Sequence, residues 1–167
     1  MGQCGVGSGN DGVRPTGTVT FLFTDLVGST RLWHQFPSEM EVALARHDEI
    51  MRSSIAAYGG YIFATGGDGF AVAFERAAGA VDAAIAAQRL LGAESWPDGM
   101  ALSVRMGVHS GEAHERDGDY FGPTLNRVGR LHAVAHGGQV VVSDATEPLV
   151  RGHVGLRDLG RHRLRDF

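Results

Sequence analysis

A glycine-rich turn between two β-rich runs constrains the fold more than any other feature of this sequence. Residues 61–74 read YIFATGGDGFAVAF, in which two short apolar runs flank the tetrapeptide GGDG. Aromatic and β-branched residues on both sides of a short glycine turn are typical of two antiparallel strands. The pattern therefore predicts strands at Tyr61–Thr65 and Phe70–Phe74. Asp68 then lies at the hairpin tip, where its glycine neighbours leave room for a ligand.

A second aspartate follows the first predicted strand. The apolar alternation of Thr18–Phe23 breaks off at Thr24 and Asp25. A turn of small residues comes next: Gly28, Ser29 and Thr30. Two aspartates at strand ends suit a hard cation such as Mg²⁺ or Mn²⁺, which prefers carboxylate and phosphate oxygens. The alternative interpretation is that Asp25 and Asp68 each form an ordinary Asx turn.

The rest of the chain alternates between helical and strand periodicity. The further predicted elements are helices at 38–58 and 77–91, a strand at 102–109, a helix at 124–135, a strand at 139–142, a short helix at 145–150 and an edge segment at 155–164. Ser38 and Glu41 predict a capping box at the start of the first helix. The order β-α-β-β-α-β predicts an α+β fold, a ferredoxin-like sandwich with extra C-terminal elements. Its sheet is expected to be antiparallel-rich, with the helices packed on one face.

Length and composition exclude several classes of protein. The 167 residues fit one domain, expected at 17–167, after a glycine-rich segment 1–16 that is expected to be a flexible tail. A net charge of −4 gives no basic surface for nucleic acid, and no apolar stretch is long enough to span a membrane. The single cysteine, Cys4, excludes an internal disulfide and agrees with a cytoplasmic location.

The predicted helix at 124–135 carries a third group of polar residues. Asn126 and Arg130 are four positions apart and so share one helix face. An amide and a guanidinium suit a ribose and a phosphate, although the same pair also fits a solvated helix face. Asp119, in a predicted loop just upstream, either accepts from an exocyclic amine such as adenine N6 or is an ordinary loop carboxylate. The histidines, including His109 and His132, lack ligand spacing and are interpreted as core or surface residues.

Four segments in order resemble one known family. They are FTDLVGST, GGDGFAVAF, RMGVHSGE and DYFGPTLNRVGRL, and they resemble the class III nucleotidyl cyclase catalytic domain, which includes the adenylyl and guanylyl cyclases. The resemblance runs from position 17 to the C-terminus. It implies that Asp25 and Asp68 bind two divalent cations, Mg²⁺ or Mn²⁺, with the backbone carbonyl of Leu26 as a further ligand. It also implies that Asn126 and Arg130 orient the ribose and stabilise the transition state.

The same resemblance assigns the nucleotide contacts. Asp119 occupies the purine-selecting position with the adenine-type residue. Arg165 is the expected phosphate contact, together with the backbone of the turn Gly28–Thr30; Arg105 is a second candidate that could equally be an exposed cross-strand partner. Ala64 stands where members that prefer ATP usually carry a lysine. Without that charge-assisted hydrogen bond, we expect discrimination between the purines, or affinity for the nucleotide, to be lower by roughly 10- to 150-fold.

The function that this resemblance implies is adenylyl cyclase activity, the conversion of ATP to 3′,5′-cyclic AMP and pyrophosphate. In this family two domains associate head to tail, with the metal aspartates of one domain facing the Asn/Arg helix of the other. The chain is therefore expected to form a homodimer, and it is compatible with being a catalytic piece of a longer protein. One alternative is a degenerate cyclase-like domain that binds nucleotide and regulates another domain. Another is a diguanylate cyclase, suggested by GGDGF but lacking the usual acidic residue at Gly69.

Overall fold

The structure, a computed structural model, describes residues 13–97 and 99–165. The expected flexible tail therefore lies outside the described residues up to position 12. Where the described chain begins, the Pro15 carbonyl accepts a hydrogen bond of 2.7 Å from Tyr120 Oη. Burial raises the pKa of Tyr120 to about 12, so this hydroxyl stays protonated and donates. Arg14 next to it lies 3.6 Å from the Glu115 carboxylate. These contacts connect residues 14 and 15 to a later part of the chain.

Within the described residues the chain forms six strands and five helices. The strands are β1 (Gly17–Leu26), β2 (Tyr61–Gly66), β3 (Gly69–Phe74), β4 (Val104–Arg116), β5 (Asp119–Phe121) and β6 (Val140–Val142). The helices are α1 (Ser29–Gln35), α2 (Pro37–Ala57), α3 (Ala77–Ala93), α4 (Pro123–Ala133) and α5 (Glu147–Val150). None of the helices in the described ranges is long and apolar enough to cross a membrane.

The strands form one sheet in the order β2-β3-β1-β4-β5, and β6 pairs with β4. All of these pairs are antiparallel except β4 with β6, which is parallel. The order β1-α2-β2-β3-α3-β4 and the antiparallel-rich sheet confirm the predicted α+β fold. Strand β1 lies in the centre because its alternating residues are buried on both sides, as Phe21 and Leu22 show.

The helices cover both faces of the sheet, so the expectation that they pack on one face is wrong. Leu22 and Leu26 of β1 belong to the core beneath α2 and α3. Phe21, the residue immediately before Leu22, packs instead with Val128 of α4. Since successive strand residues point to opposite faces, α4 lies on the face away from α2 and α3.

Two local predictions at the start of the chain are wrong. Helix α1 begins three residues after the end of β1, where only a small-residue turn was expected, and its first residues are Ser29 and Thr30. The capping box does not form, because α2 begins at Pro37 with Phe36 at the N-cap and no side-chain cap hydrogen bond. Proline suits the first helical turn because its fixed φ is helical and the N–H it lacks would have no partner there.

The C-terminal third differs from the prediction in two places. Asp119 lies in a short strand, β5, which pairs with β4, and not in a loop. The predicted edge segment 155–164 forms no strand, and the only bridge near it in the described chain joins Arg151 and Val154, just before the segment. Leu156 and Leu159 in this segment are exposed, and Leu164 is half-buried.

Candidate active site

The ends of β1 and β3 bring the two predicted metal aspartates to one edge of the molecule. Strand β1 continues past its predicted end, so Asp25 is its penultimate residue. The antiparallel register places Thr24 opposite Phe70, so the end of β1 lies beside the turn that precedes β3. Asp68 lies in that turn, between the paired residues Gly66 and Gly69. The hairpin-tip position predicted for Asp68 is therefore confirmed.

A glycine makes the close contact between these strand ends feasible. A Cβ atom on Gly69 would lie 2.6 Å from the carbonyl oxygen of Thr24, closer than real Cβ contacts come. In addition, the Phe70 N–H donates to Thr24 Oγ1 at 3.2 Å. The start of β3 is thus held against the residue that immediately precedes Asp25.

The donor atoms at this edge fit a divalent cation. Asp68 Oδ2 is buried and accepts no hydrogen bond within the described residues. A buried carboxylate oxygen without a partner is unfavourable, and a bound cation would satisfy it. No group of three or more carboxylate, histidine or cysteine side chains that could hold a metal ion occurs in the described chain. Further ligands would therefore be a backbone carbonyl, such as that of Leu26, water or substrate phosphates, which hard cations accept readily.

Arg105 pairs with Asp25 across β1 and β4. The two residues lie opposite each other in the strand register. Arg105 Nη2 and Nε both donate to Asp25 Oδ2, at 2.6 and 3.1 Å. The third nitrogen, Nη1, donates to the carbonyl of Ala133 at 3.3 Å, at the last residue of α4. The cross-strand interpretation of Arg105 is what the structure shows, and its phosphate contact stays a prediction.

A pocket of about 310 Å³ lies at this edge. Of the residues predicted from the sequence, Asp25, Ala64 and Arg105 line it. Its other lining residues are Phe23, Thr24, Gly66, Gly69, Phe70, Ala71 and His132. A lining with carboxylate, guanidinium and imidazole groups as well as apolar side chains suits a ligand that has both charged and apolar parts.

His132 was not predicted as part of any site. Its Nδ1–H donates to the carbonyl of Gly129 at 2.8 Å, since a carbonyl oxygen only accepts. The ring also contacts Phe23 edge-on, with centroids 6.2 Å apart. A histidine one helical turn beyond Val128 could have been placed on the sheet-facing side of α4, but nothing in the sequence placed it beside Asp25.

Two glycines of β4 support α4. A Cβ on Gly107 would lie 2.7 Å from the Cα of His132, and one on Gly111 would lie 2.8 Å from Thr124 Oγ1. The helix backbone therefore rests almost directly on the strand. Both glycines belong to the segment RMGVHSGE, and glycines four apart in a strand share a face. This spacing of glycines in the sequence could have indicated that a helix packs closely on the strand.

Asn126 and Arg130 lie on α4, as predicted. Asn126 is exposed and Arg130 is half-buried, whereas Val128 and Leu131 are buried toward the sheet. Neither Asn126 nor Arg130 is among the residues that line the pocket of about 310 Å³. The Asn/Arg pair is thus not part of the lining of the pocket that contains Asp25, although His132 of the same helix is.

The remaining predicted residues also lie outside that pocket. Asp119 is exposed, and its Oδ1 accepts from the Tyr120 N–H at 2.8 Å. Gly28 has a left-handed backbone with φ of 70° and forms the N-cap of α1, ahead of Ser29 and Thr30. Arg165 is exposed and is the last residue that the structure describes.

His109 confirms the interpretation of a core histidine. It is buried, and its Nδ1 lies 2.7 Å from Ser143 Oγ. Burial lowers the pKa of His109, and the positive charge of Arg127 on α4 lowers it further, while Asp144 acts in the opposite direction. A neutral His109 is therefore part of the packing beneath α4.

Comparison with known proteins assigns this arrangement to a family. Residues 12–165 match the family model described as the adenylate and guanylate cyclase catalytic domain. An uncharacterized protein of Mycobacterium tuberculosis is 43% identical over 157 residues, which cover 90% of this chain and 53% of that protein. A protein of Neurospora crassa named adenylate cyclase is 37% identical over 154 residues, which cover 77% of this chain and 7% of that protein. The chain thus spans about half the length of the mycobacterial relative. The family match gives no support to the diguanylate cyclase alternative.

Solved structures show the same fold. A structure of an adenylate cyclase from Trypanosoma brucei in its monomeric state matches with a TM-score of 0.85 and 28% identity, over 95% of this chain and 88% of that one. A structure named adenylate/guanylate cyclase/hydrolase from Silicibacter pomeroyi matches with a TM-score of 0.79 and 27% identity, over 90% of each chain.

Proposed function

The chain belongs to the adenylate and guanylate cyclase catalytic domain family, and we propose that it is an adenylyl cyclase that converts ATP to 3′,5′-cyclic AMP and pyrophosphate. The observation that carries this proposal is the edge formed by β1 and β3. There Asp25 and Asp68 lie at neighbouring strand ends, and Asp68 Oδ2 is buried without a partner in the described chain. One relative is named adenylate cyclase, which supports cyclic AMP as the product.

Two divalent cations, Mg²⁺ or Mn²⁺, would be held by Asp25, Asp68 and the backbone carbonyl of Leu26. When bound, they would supply acidity at the ribose 3′-hydroxyl and neutralise part of the triphosphate charge. The protein provides the position: the Gly69 contact with Thr24 keeps the two carboxylate-bearing segments together.

The reaction joins the ribose 3′ oxygen to the α-phosphorus and breaks the bond from that phosphorus to the oxygen that leaves with pyrophosphate. The 3′-hydroxyl proton is released to water or to the pyrophosphate. Asn126 would orient the ribose, and Arg130 would offset the charge that develops on the phosphoryl oxygens. Arg105, Arg165 and the backbone N–H groups of Gly28–Thr30 would contact the phosphates. A guanidinium suits this task because it can donate two parallel hydrogen bonds to phosphate oxygens.

Base choice would depend on Asp119 and Ala64. The Asp119 carboxylate is exposed, so it is accessible to an adenine amine, which donates, and it would repel the O6 of guanine. Ala64 lines the pocket but provides no charged contact to the base. We therefore expect ATP to be preferred over GTP, by less than in a cyclase that carries a lysine at this position.

We further propose a head-to-tail homodimer with two composite sites, a closed two-fold arrangement. Support comes from α4, because Asn126 is exposed and neither Asn126 nor Arg130 lines the pocket of its own chain. In the dimer, the Asn/Arg pair of one chain would complete the site that contains Asp25 of the other. The cytoplasm, where ATP is abundant, is the compartment in which we expect this chemistry.

The first experiment tests the reaction itself. The protein is incubated with Mn²⁺ and either ATP or GTP, and the products are separated by chromatography. We expect cyclic AMP from ATP and less cyclic GMP from GTP. ATP binding without any cyclic product would contradict the proposal and favour the alternative of a degenerate, nucleotide-binding regulatory domain.

A mixing experiment tests the composite site. Asp25→Asn and Arg130→Ala chains are each expected to be inactive alone. Random pairing makes half of the dimers mixed, each with one intact site of two, so mixing should restore about a quarter of wild-type activity. The control is a proven exchange of subunits, for example by energy transfer between labelled chains. No recovery despite exchange would show that each site is built within one chain.

A further inference from the structure

All three nitrogens of the Arg105 guanidinium are engaged at the edge of the pocket. Nη2 and Nε converge on Asp25 Oδ2, and Nη1 holds the Ala133 carbonyl at the end of α4. The carboxyl end of a helix carries partial negative charge, so the carbonyl adds to the attraction. The guanidinium is therefore fixed on the carboxylate that is the proposed cation ligand.

This pairing places a positive charge where a divalent cation would have to bind. The Asp25 and Arg105 side chains are 29% and 31% exposed, so water screens the pair only in part. A cation that approaches Asp25 meets repulsion from Arg105 and competes with its two hydrogen bonds for Oδ2. The same guanidinium lines the pocket, which places it within the space expected to hold the triphosphate.

A triphosphate changes this balance because it supplies several negative charges at once. Its oxygens can receive the guanidinium hydrogen bonds that Asp25 would give up, and its charge attracts the cation and Arg105 alike. The contact of Arg105 with Asp25 therefore opposes binding of the cation alone, and it opposes binding of the cation with the nucleotide much less.

We propose that Arg105 couples the two ligands: it is a positioning residue that occupies Asp25 until a nucleoside triphosphate arrives, and so makes cation binding depend on nucleotide binding. The inference rests on the proposed cation site at Asp25. Because coupling between two ligands is reciprocal, the cation raises nucleotide affinity by the same factor.

The test measures Mn²⁺ affinity in the full chain by electron paramagnetic resonance, first without nucleotide. Arg105→Gln removes the charge and the two converging donors. We expect it to bind Mn²⁺ about five- to tenfold more tightly than wild type, the value of a partly exposed charge-assisted contact. Equal or weaker Mn²⁺ binding in Arg105→Gln would overturn the proposal, because Arg105 would then be neutral toward the cation or assist it.

The titration is then repeated with 3′-deoxy-ATP, which lacks the attacking hydroxyl, after subtraction of the Mn²⁺ that the nucleotide binds alone. We expect the analogue to raise the Mn²⁺ affinity of wild type by a larger factor than that of Arg105→Gln. An equal increase in Mn²⁺ affinity in wild type and in Arg105→Gln would contradict the proposed coupling. Since no cyclic product is measured, a wild type that fails to make cyclic AMP would still report on Arg105, and the two proposals can fail separately.

Two further variants guard the interpretation. Arg89→Gln removes the same charge from an exposed position of α3 and is expected to leave the Mn²⁺ affinity within about twofold of wild type. An increase in Mn²⁺ affinity as large as that of Arg105→Gln would assign the effect to net charge and overturn the proposal.

Arg105→Lys keeps the charge but not the fork of donors, and its Mn²⁺ affinity should fall between those of wild type and Arg105→Gln. If Arg105→Gln does not fold, Arg105→Lys is the variant that tests the proposal. A Mn²⁺ affinity of Arg105→Lys equal to that of wild type would then contradict the proposal.

Discussion

The two parts of the proposed active site are built in different ways. At the strand edge that carries Asp25 and Asp68, Gly69 lies against Thr24 of the same chain and Asp68 Oδ2 is buried. Helix α4 lies on the glycines of β4 and presents Asn126 to solvent. The first part is the proposed cation site, and the second is the part that we propose completes the site of a second chain.

This difference separates two kinds of sensitivity to mutation. At the strand edge the carboxylates themselves are expected to determine function, because the backbone around them is held by strand pairing. At α4 the position of the whole helix is expected to matter, because its polar residues act only if the helix lies correctly on β4. Substitutions at the two parts should therefore differ in what they remove: cation binding in the first case and turnover in the second.

The largest effect is expected from Asp25→Asn and Asp68→Asn. Each substitution removes a negative charge from the proposed cation site, so cyclase activity with Mn²⁺ should fall below about a tenth of wild type, together with Mn²⁺ affinity. Asp68→Asn should not lower the metal-free melting temperature, since it replaces a buried charged oxygen that has no partner in the described chain. Either variant with more than a tenth of wild-type activity would show that its aspartate is not a shared ligand.

The next largest effect is expected from Arg130→Ala on α4. The charge that Arg130 meets develops mainly during the reaction, so kcat should fall by about 10²–10³ while KM changes less. Mn²⁺ affinity without nucleotide should stay close to that of wild type, in contrast to the aspartate variants. Steady-state kinetics with ATP measure the first result, and a defect that lies wholly in KM would make Arg130 a ground-state binding residue instead.

The sequence predicted the strand edge well because its signals are local. The GGDG turn predicted the hairpin with Asp68 at its tip, and the alternation before Asp25 predicted β1, although that strand ends three residues later than expected. Arg105 was left open between two roles, since the sequence does not show which strand lies opposite it. Only the register of β1 with β4 shows that it pairs with Asp25.

The part that could not be predicted depends on packing between distant segments. Helix α4 was expected on the same face as the other helices, and no local pattern distinguishes the two faces of a central strand that is buried on both. Helix α1 was missed because seven residues give little periodicity, and Leu32 is its only buried residue. His132 lines the pocket because α4 packs closely on Gly107 of β4. That contact joins residues far apart in the chain, so no local pattern predicts it.

A smaller effect on activity is expected from Gly107→Ala, which disturbs α4 without touching its polar residues. The added methyl would meet the His132 backbone at 2.7–2.8 Å, so the helix must move. Overpacking of this kind costs about 1–3 kcal/mol of stability. A shift of Arg130 by part of an ångström should lower kcat by about 10- to 100-fold. Urea unfolding and steady-state kinetics measure the two effects.

The matched control for that substitution is Gly92→Ala in α3, where an added Cβ has no atom within 4 Å. Alanine is favoured over glycine in a helix by up to about 1 kcal/mol, so this variant should be as stable as wild type or more stable, with unchanged kcat. If Gly107→Ala behaved like Gly92→Ala, the close contact of α4 with β4 would not determine the position of Arg130.

The smallest effect is expected from pH, which should disturb the region beneath α4 through His109. Burial lowers the pKa of His109 in the folded protein below its ordinary value of about 6.5, so the unfolded chain binds the proton more readily. The contribution of neutral His109 to stability is therefore complete above about pH 6.5 and is lost as the pH falls toward the lowered pKa, at a rate of at most about 1.4 kcal/mol per pH unit for one proton. The variant His109→Gln tests this contribution. It keeps a polar side chain but cannot titrate, so its free energy of unfolding should fall less than that of wild type between pH 7.5 and 5.5. Urea unfolding of both proteins at the two pH values measures this difference, and the other histidines cancel because they are common to both. Parallel losses would show that His109 takes up its proton as easily in the folded protein as in the unfolded chain, and that the packing beneath α4 tolerates the charge.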